Sequence, residues 1–214
     1  MKIEKWMILF SILVGFLIAE VGARVFKPKR WPRNAPYTFE DQKTLKEPNS
    51  EAVNLRNRPD GSVLFAIPWK FDEFGRRPTP SVPDAKRGHL FFGGSYTNGY
   101  GLTDDKTLPW LFSQQTGEQA YNYAHSAYGP QHMLKQLMDY DLNTQVEGSL
   151  EKIDATYFFY QFQNERVVGA FRWVGPYRVN DPYFDIEDGE LKYLGNFAKG
   201  RPITTFVYWA IYHS

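Results

Sequence analysis

Between residues 89 and 162 the chain alternates short aromatic-rich strands with amphipathic helices, and this alternation limits the available folds more than any other feature. "HLFF" at 89–92 is a short apolar strand bounded by Gly93 and Gly94. Thr107 is placed to cap a helix over "LPWLFSQQT", with Pro109 in its first turn and Gly117 closing it. "QAYNYA" at 119–124 reads as a second strand. "PQHMLKQLMDY" at 130–140 starts on proline and sets Met133, Leu134, Leu137 and Met138 on one helical face. "DATYFFYQF" at 154–162 is a third strand whose nearly continuous aromatic run suits burial on both faces of a parallel sheet. Strand, helix, strand, helix, strand is the order of an α/β sandwich with right-handed crossovers. With 43% hydrophobic and 17% aromatic residues in a chain of 214, a packed core of this kind is within reach. Later, "PYFDIEDGELKYLG" reads as a hairpin around Asp188-Gly189.

The remainder sets boundaries on function. A formal net charge of +1 argues against a dedicated nucleic-acid binder, and the absence of cysteine removes disulfides and thiolate metal sites. Neither a cofactor nor a metal site is expected, since no H-x-x-x-H or carboxylate cluster occurs. At the N-terminus Lys2 and Lys5 precede the apolar run "WMILFSILVGFLIA" at 6–19, which Glu20 interrupts. As helix that run is about 21 Å long, and about 27 Å if continued to Ala23. Residues 1–25 are read as an uncleaved signal anchor, with Glu20 and Arg24 paired at i,i+4, or a signal peptide cut after Val21-Gly22-Ala23, with a buried helix of a soluble protein as the remaining alternative. Arg24, Lys27, Lys29, Arg30 and Arg33 follow and would mark a cytoplasmic side, opposite to a simple signal-anchor orientation. Residues 26–85 read as an extended arm and linker: 27–60 is proline- and turn-rich, 63–78 is an extended segment followed by a turn at Gly75, and "PTPSVPDAKRG" is a loop. The domain proper is expected over 86–214.

The densest stretch is "FFGGSYTNGYG" at 91–101. A phosphate-cradling loop would need Lys and then Ser or Thr after its last glycine, and Tyr100 and Gly101 stand there instead. A dinucleotide fingerprint would need G-x-G-x-x-G, whereas "GYGLTD" stops at two glycines. The nucleophile elbow G-x-S-x-G would need glycine where Thr97 stands. What remains is a strand end, a turn, and Ser95 at a helix start, at the carboxyl edge of the sheet where α/β proteins bind ligands.

"FFGGSYTNGYGLTDDKTLPWL" resembles the first block of the SGNH (GDSL-type) hydrolases, in the form GDS-aromatic-T-x-G-x-G-hydrophobic-x-D-x-x-T-x-P. Gly93, Ser95, Thr97, Gly99, Gly101, Asp104, Thr107 and Pro109 fall on it, and Gly94 replaces the aspartate. "NYAHSAYG" resembles the second block N-x-G-x-S-G-Y-G through Asn122, Ser126, Tyr128 and Gly129, with Ala124 and Ala127 in place of glycines. "FQNE" keeps only Asn164 of the third block, G-x-N-D, and "DEFGRRP" is similar to the N-x-x-G-x-R element that precedes the first block in membrane-tethered members. The resemblance covers roughly residues 70–165. It implies a three-layer flavodoxin-like sandwich with a parallel sheet, and an acyl-ester substrate, of a polysaccharide or a lipid, at the cell envelope. It implies Ser95 as nucleophile, with an oxyanion hole made by the Ser95 N–H, the Ala127 N–H and the Asn164 amide, and Gly129 as substitute donor.

The fourth block of that family, D-x-x-H, which supplies the base, is not found. His89 opens the first strand, His125 lies in the second block without a family role, His132 is expected on the surface of its helix, and His213 follows no aspartate at the required spacing. Two readings follow: a serine esterase, lipase-like or acting as an O-acyltransferase, or a non-catalytic membrane-tethered carbohydrate-binding or scaffold protein. Three sheet strands where flavodoxin-like sheets have about five, and an uncapped apolar helix start at "GRPITTFVYWAIYHS", lead to the expectation that the domain is incomplete at its C-terminus.

Overall fold

The computed structural model describes residues 44–146, 149–174 and 178–213, plus Trp6, Phe10, Ser11, Val14, Gly15 and Ile18, all six helical. The rest of the N-terminal anchor or signal peptide, and the basic residues 24–33, lie outside the described residues. Among the described residues no helix is long and apolar enough to cross a membrane. The chain divides into two compact units, Gln42–Val168 and Met1–Asp41 with Gly169–Ser214.

In the unit Gln42–Val168 the expected alternation forms a parallel three-stranded sheet, so the protein is a mixed α/β chain. The elements are β3 (Arg87–Gly93), α1 (Ser95–Asn98), α2 (Leu108–Thr116), β4 (Gln119–Asn122), α3 (Pro130–Asp139), β5 (Lys152–Phe158) and α4 (Gln163–Val167). Strand order is β4-β3-β5, with Leu90 opposite both Tyr121 and Ala155. Side-chain alternation along β3 sends its residues to two different layers. Leu90 and Phe92 join Leu45, Tyr121 and Tyr123 in a buried cluster against which Met133 of α3 packs. His89 and Phe91 face the other way, onto Phe112 of α2, at ring distances of 4.9 and 5.1 Å. Helices thus cover both faces of the sheet. Thr107 and Gly117 do bound α2, but the Thr107 hydroxyl donates to the Asp104 carbonyl at 2.9 Å and not to the helix.

Two expectations differ from the structure. β5 is not buried on both faces: it stops at Phe158, and Ile153 is 39% exposed. Its aromatic run reflects a turn of stacked rings, Tyr160 on Phe162 at 5.7 Å, more than a buried strand. The stretch read as arm and linker contains an antiparallel hairpin, β1 (Glu51–Asn57) with β2 (Val63–Lys70). Phe65, Ile67 and Trp69 alternate onto the inner face of β2, opposite Arg56, Asn54 and Ala52. Just upstream, Thr44 and Leu45 are buried, and Gln136 of α3 donates its amide to the Thr44 carbonyl at 3.0 Å. Leu45, a single apolar residue in a polar run, was too isolated to signal this packing.

Past Gly75, whose positive φ of 80° makes the expected turn, Arg77 is 1% exposed. Its guanidinium donates to the carbonyls of Asn98, Gly99 and Leu102 at 2.9, 3.0 and 3.1 Å, and through Nε to Asp104 at 2.8 Å. It also lies over the Trp69 ring at 4.6 Å. Burial pulls its pKa below the ordinary arginine value, and Asp104 pushes it back. Arg77 therefore ties β2, the turn after α1 and the Asp104 loop into one body.

The unit that includes Gly169–Ser214 holds α5 (Phe171–Trp173), β6 (Pro182–Glu187), β7 (Glu190–Asn196), α6 (Phe197–Gly200) and α7 (Pro202–His213). The expected hairpin turns at Asp188-Gly189, with φ of 55° and 81°, the two positive values a type I′ turn requires. Val174, Val179, Tyr183 and Phe197 form its small core.

Arg77→Ala is expected to lower stability by about 3–5 kcal/mol, because it strands three inward carbonyls and a carboxylate. Arg77→Lys should recover only part of that, since an ammonium cannot span the same fork. Urea unfolding of the two variants checks both.

Candidate functional site

The carboxyl ends of β3, β4 and β5 converge, and the segments that follow them build one site. After β3 the chain turns at Gly93, whose φ is 152° and whose Cβ, if present, would lie 2.5 Å from Thr97 Oγ1, so only glycine fits. Ser95 then starts the short helix α1, half-buried, at the wall of a pocket of about 520 Å³. Tyr96, Tyr100, Leu102, Phe162 and Arg56 also line this pocket. Tyr96 meets Tyr160 at 4.9 Å, so the rim beside Ser95 is a run of aromatic rings. Among the described residues Ser95 Oγ has no hydrogen-bond partner, and no histidine or carboxylate lines this pocket.

The loop after β4 is tied to this turn. Asn98, buried in α1, donates to the Ala124 carbonyl at 2.9 Å, and His125 N–H donates to the Gly93 carbonyl at 3.2 Å. Tyr128 N–H returns to the His125 carbonyl at 3.1 Å, which closes a turn over Ser126 and Ala127. Ala127 occupies it with φ of 69°. A left-handed conformation costs an ordinary L-residue about 1–2 kcal/mol, so the turn is held there by its surroundings. Among the described residues the N–H groups of Ser95 and Ala127 donate to no protein acceptor.

The other expected donors stand differently. The Gly129 N–H is already engaged by His132 Nδ1 at 3.1 Å, so it is not a free substitute for Ala127. His132, expected on the surface, is fully buried: its imidazole reaches back from the first turn of α3 to cap it, and stacks on Tyr128 at 4.1 Å. Of the residues set on one face by the helical spacing, Met133 packs against the core while Leu137 and Met138 are exposed, and Gln131, His132 and Gln136 are the fully buried residues of α3. Asn164 sits on the exposed side of α4 and does not line the pocket. The buried side is Gln163 and Arg166.

These two residues pack beside Gly94. A Cβ on Gly94 would lie 3.3 Å from Gln163 Nε2 and 3.4 Å from both Arg166 Nη1 and the Tyr128 carbonyl. Gln163 donates to that carbonyl at 3.4 Å and accepts from Tyr160 N–H at 3.0 Å, and Arg166 donates to it as well. A side chain at position 94 would thus press against groups from α4. Arg166 also lies over the Phe162 ring at 4.9 Å. Nearby, burial pushes the Tyr157 phenol well above the ordinary tyrosine value, and Arg166 offsets only part of this.

His89 is away from the pocket, bonded to Thr156 Oγ1 at 2.7 Å and packed on Phe91 and Phe112. His125 is half-buried, its Nδ1 3.1 Å from the Ser126 carbonyl and its ring 4.7 Å from Tyr128. Among the described residues no group of histidines and carboxylates could hold a metal ion. No family model and no curated protein matches this chain.

Sequence reasoning missed Arg56, Gln163 and Arg166. No local pattern marks Arg56, which reaches the pocket only through the hairpin; Gln163 and Arg166 at i,i+3 flank a residue that attracted the attention instead.

Ala127→Gly is expected to leave stability unchanged or raise it by up to about 1 kcal/mol, relief of the positive φ being offset by glycine's unfolded-state entropy. Ala127→Val, β-branched, should lower it by more than about 1 kcal/mol. Denaturant midpoints of the two variants measure the sign.

Proposed function

We propose that the chain is an SGNH-like acyl-ester hydrolase or acyltransferase of the cell envelope, with Ser95 as nucleophile. The flavodoxin-like, three-layer form of the α/β fold and attachment through the apolar N-terminal run belong to the same proposal. The observation that supports it most is Ala127: at the place where the family pattern has glycine, an alanine holds a left-handed φ of 69°.

In this reading Ser95 Oγ adds to the ester carbonyl, and the carbonyl π electrons move onto oxygen. The unengaged N–H groups of Ser95 and Ala127 donate to that oxyanion, and the Asn164 amide turns inward to join them. The tetrahedral centre collapses, the alcohol leaves with a proton, and water or a sugar hydroxyl then removes the acyl group from Ser95. The family's D-x-x-H is not in this sequence, so in this reading the serine proton passes to a water in the open pocket, which returns it to the departing alcohol oxygen. One observation favours the second reading, a non-catalytic binding protein for carbohydrate: Tyr96, Tyr100 and Phe162 line the pocket beside Ser95, with no base among its lining residues.

A fluorophosphonate ester probe separates the two. Labelling of the wild type that Ser95→Ala abolishes supports the nucleophile; equal labelling of both proteins, or of neither, supports the binding reading. If turnover is observed, Asn164→Ala should lower kcat by about 10²–10³-fold with little change in KM, the effect of one lost oxyanion donor. An unchanged kcat would remove Asn164 from the hole.

A further inference from the structure

We infer that Arg56 makes the Ser95 pocket selective for anionic ligands, namely esters that carry a carboxylate or phosphate-type oxyanion away from the ester group. This rests on the reading of that pocket as the ester site and names its substrate class.

Arg56 is the charged side chain among the lining residues, and no carboxylate lines the pocket to neutralise it. Among the described residues its guanidinium has no hydrogen bond or ion pair, unlike the other arginines of this region. Arg58 donates to Ser62 and Val63, Arg76 pairs with Asp72, and Arg77 pairs with Asp104. The side chain is exposed, and the backbone of Arg56 is held in the hairpin. It stands opposite Phe65 in the hairpin ladder, and Phe65 meets the Tyr100 ring edge-on at 5.5 Å. Two residues earlier on the same face, Asn54 Oδ1 accepts from Gly101 N–H at 3.0 Å. The ladder slips by one residue just after Arg56, a bulge of the kind that re-aims side chains beside a site. Phe162, another lining residue, carries the Arg166 guanidinium on its ring, so a second positive charge lies close to the pocket. A planar, forked donor in a pocket also lined by aromatic rings is suited to hold an oxyanion while the uncharged part of the ligand lies on the rings.

The test compares two stable amides, 4-nitroacetanilide and succinic acid mono-4-nitroanilide, with a phosphonate analogue of the second as a further arm. Binding to the full chain is measured by calorimetric titration. The acidic amides are expected to bind about tenfold tighter than the neutral one, the scale of a charge-assisted hydrogen bond in an open site. That margin should shrink with added salt, vanish in Arg56→Gln, and survive in part in Arg56→Lys. The carboxylate and phosphonate arms show which oxyanion is preferred. A margin that persists in Arg56→Gln overturns the inference, and so does the absence of any margin on the wild type, including no measurable binding of either amide. Failure of the ester reading looks different: the charge preference is intact in wild type and Ser95→Ala, but the fluorophosphonate probe does not label Ser95.

Discussion

A guanidinium that is only 1% exposed dictates much of the structure around it. Arg77 remains a cation, and taking it out of water costs several kcal/mol unless acceptors surround it. The chain supplies them from one short region: the carbonyls of Asn98, Gly99 and Leu102, and the Asp104 carboxylate. Those carbonyls point inward because Gly99 and Gly101 take positive φ, and that same path sets Tyr100 and Leu102 against the Ser95 pocket. The cation is thus a fixed centre about which the loop is wound, and the pocket wall is the outer surface of that winding. Trp69 beneath the guanidinium extends the arrangement to the hairpin.

A similar division of labour holds on the other side of Ser95. The Tyr128 carbonyl is the meeting point of Gln163 and Arg166, and a Cβ at Gly94 would lie 3.3–3.4 Å from all three. An arginine and an amide make this junction donor-rich. The turn carrying Ala127 is pinned between it and α1, through Asn98 to Ala124 and Tyr128 N–H to His125, and these bonds sustain a φ that alanine alone would leave.

What could be read in the sequence follows from how local each signal is. The strands of the parallel sheet and the two larger helices around it are each specified within a dozen residues by apolar runs and by Thr107, Pro109, Gly117 and Pro130. The Asp188-Gly189 turn is specified by two. The Gly-Ser turn was legible for the same reason, since Gly93 is sterically irreplaceable. The hairpin was not, because Phe65, Ile67 and Trp69 alternate beside a β1 strand of mostly polar residues whose partner face is provided by a loop far along the chain. His132 was misplaced because the periodicity of α3 counts apolar side chains, whereas its most buried residues are polar: Gln136 bonds to Thr44 and Tyr123, and His132 accepts from Gly129. The role of Arg77 was hidden behind a motif whose letters say nothing about burial.

The hairpin is joined to the serine-bearing turn through its inner face, Asn54 to Gly101, Phe65 and Trp69 to Tyr100, and Trp69 to Arg77, while the turn itself is built on the sheet. Its outer face, with Val53 66% and Leu55 53% exposed, carries no such obligations. The outer side of β1 can therefore drift without disturbing the backbone that presents Ser95, whereas Phe65 and Trp69, which hold Tyr100 and the buried Arg77, cannot. In a lineage of such chains, diversity would accumulate on that outer face and constancy beneath it.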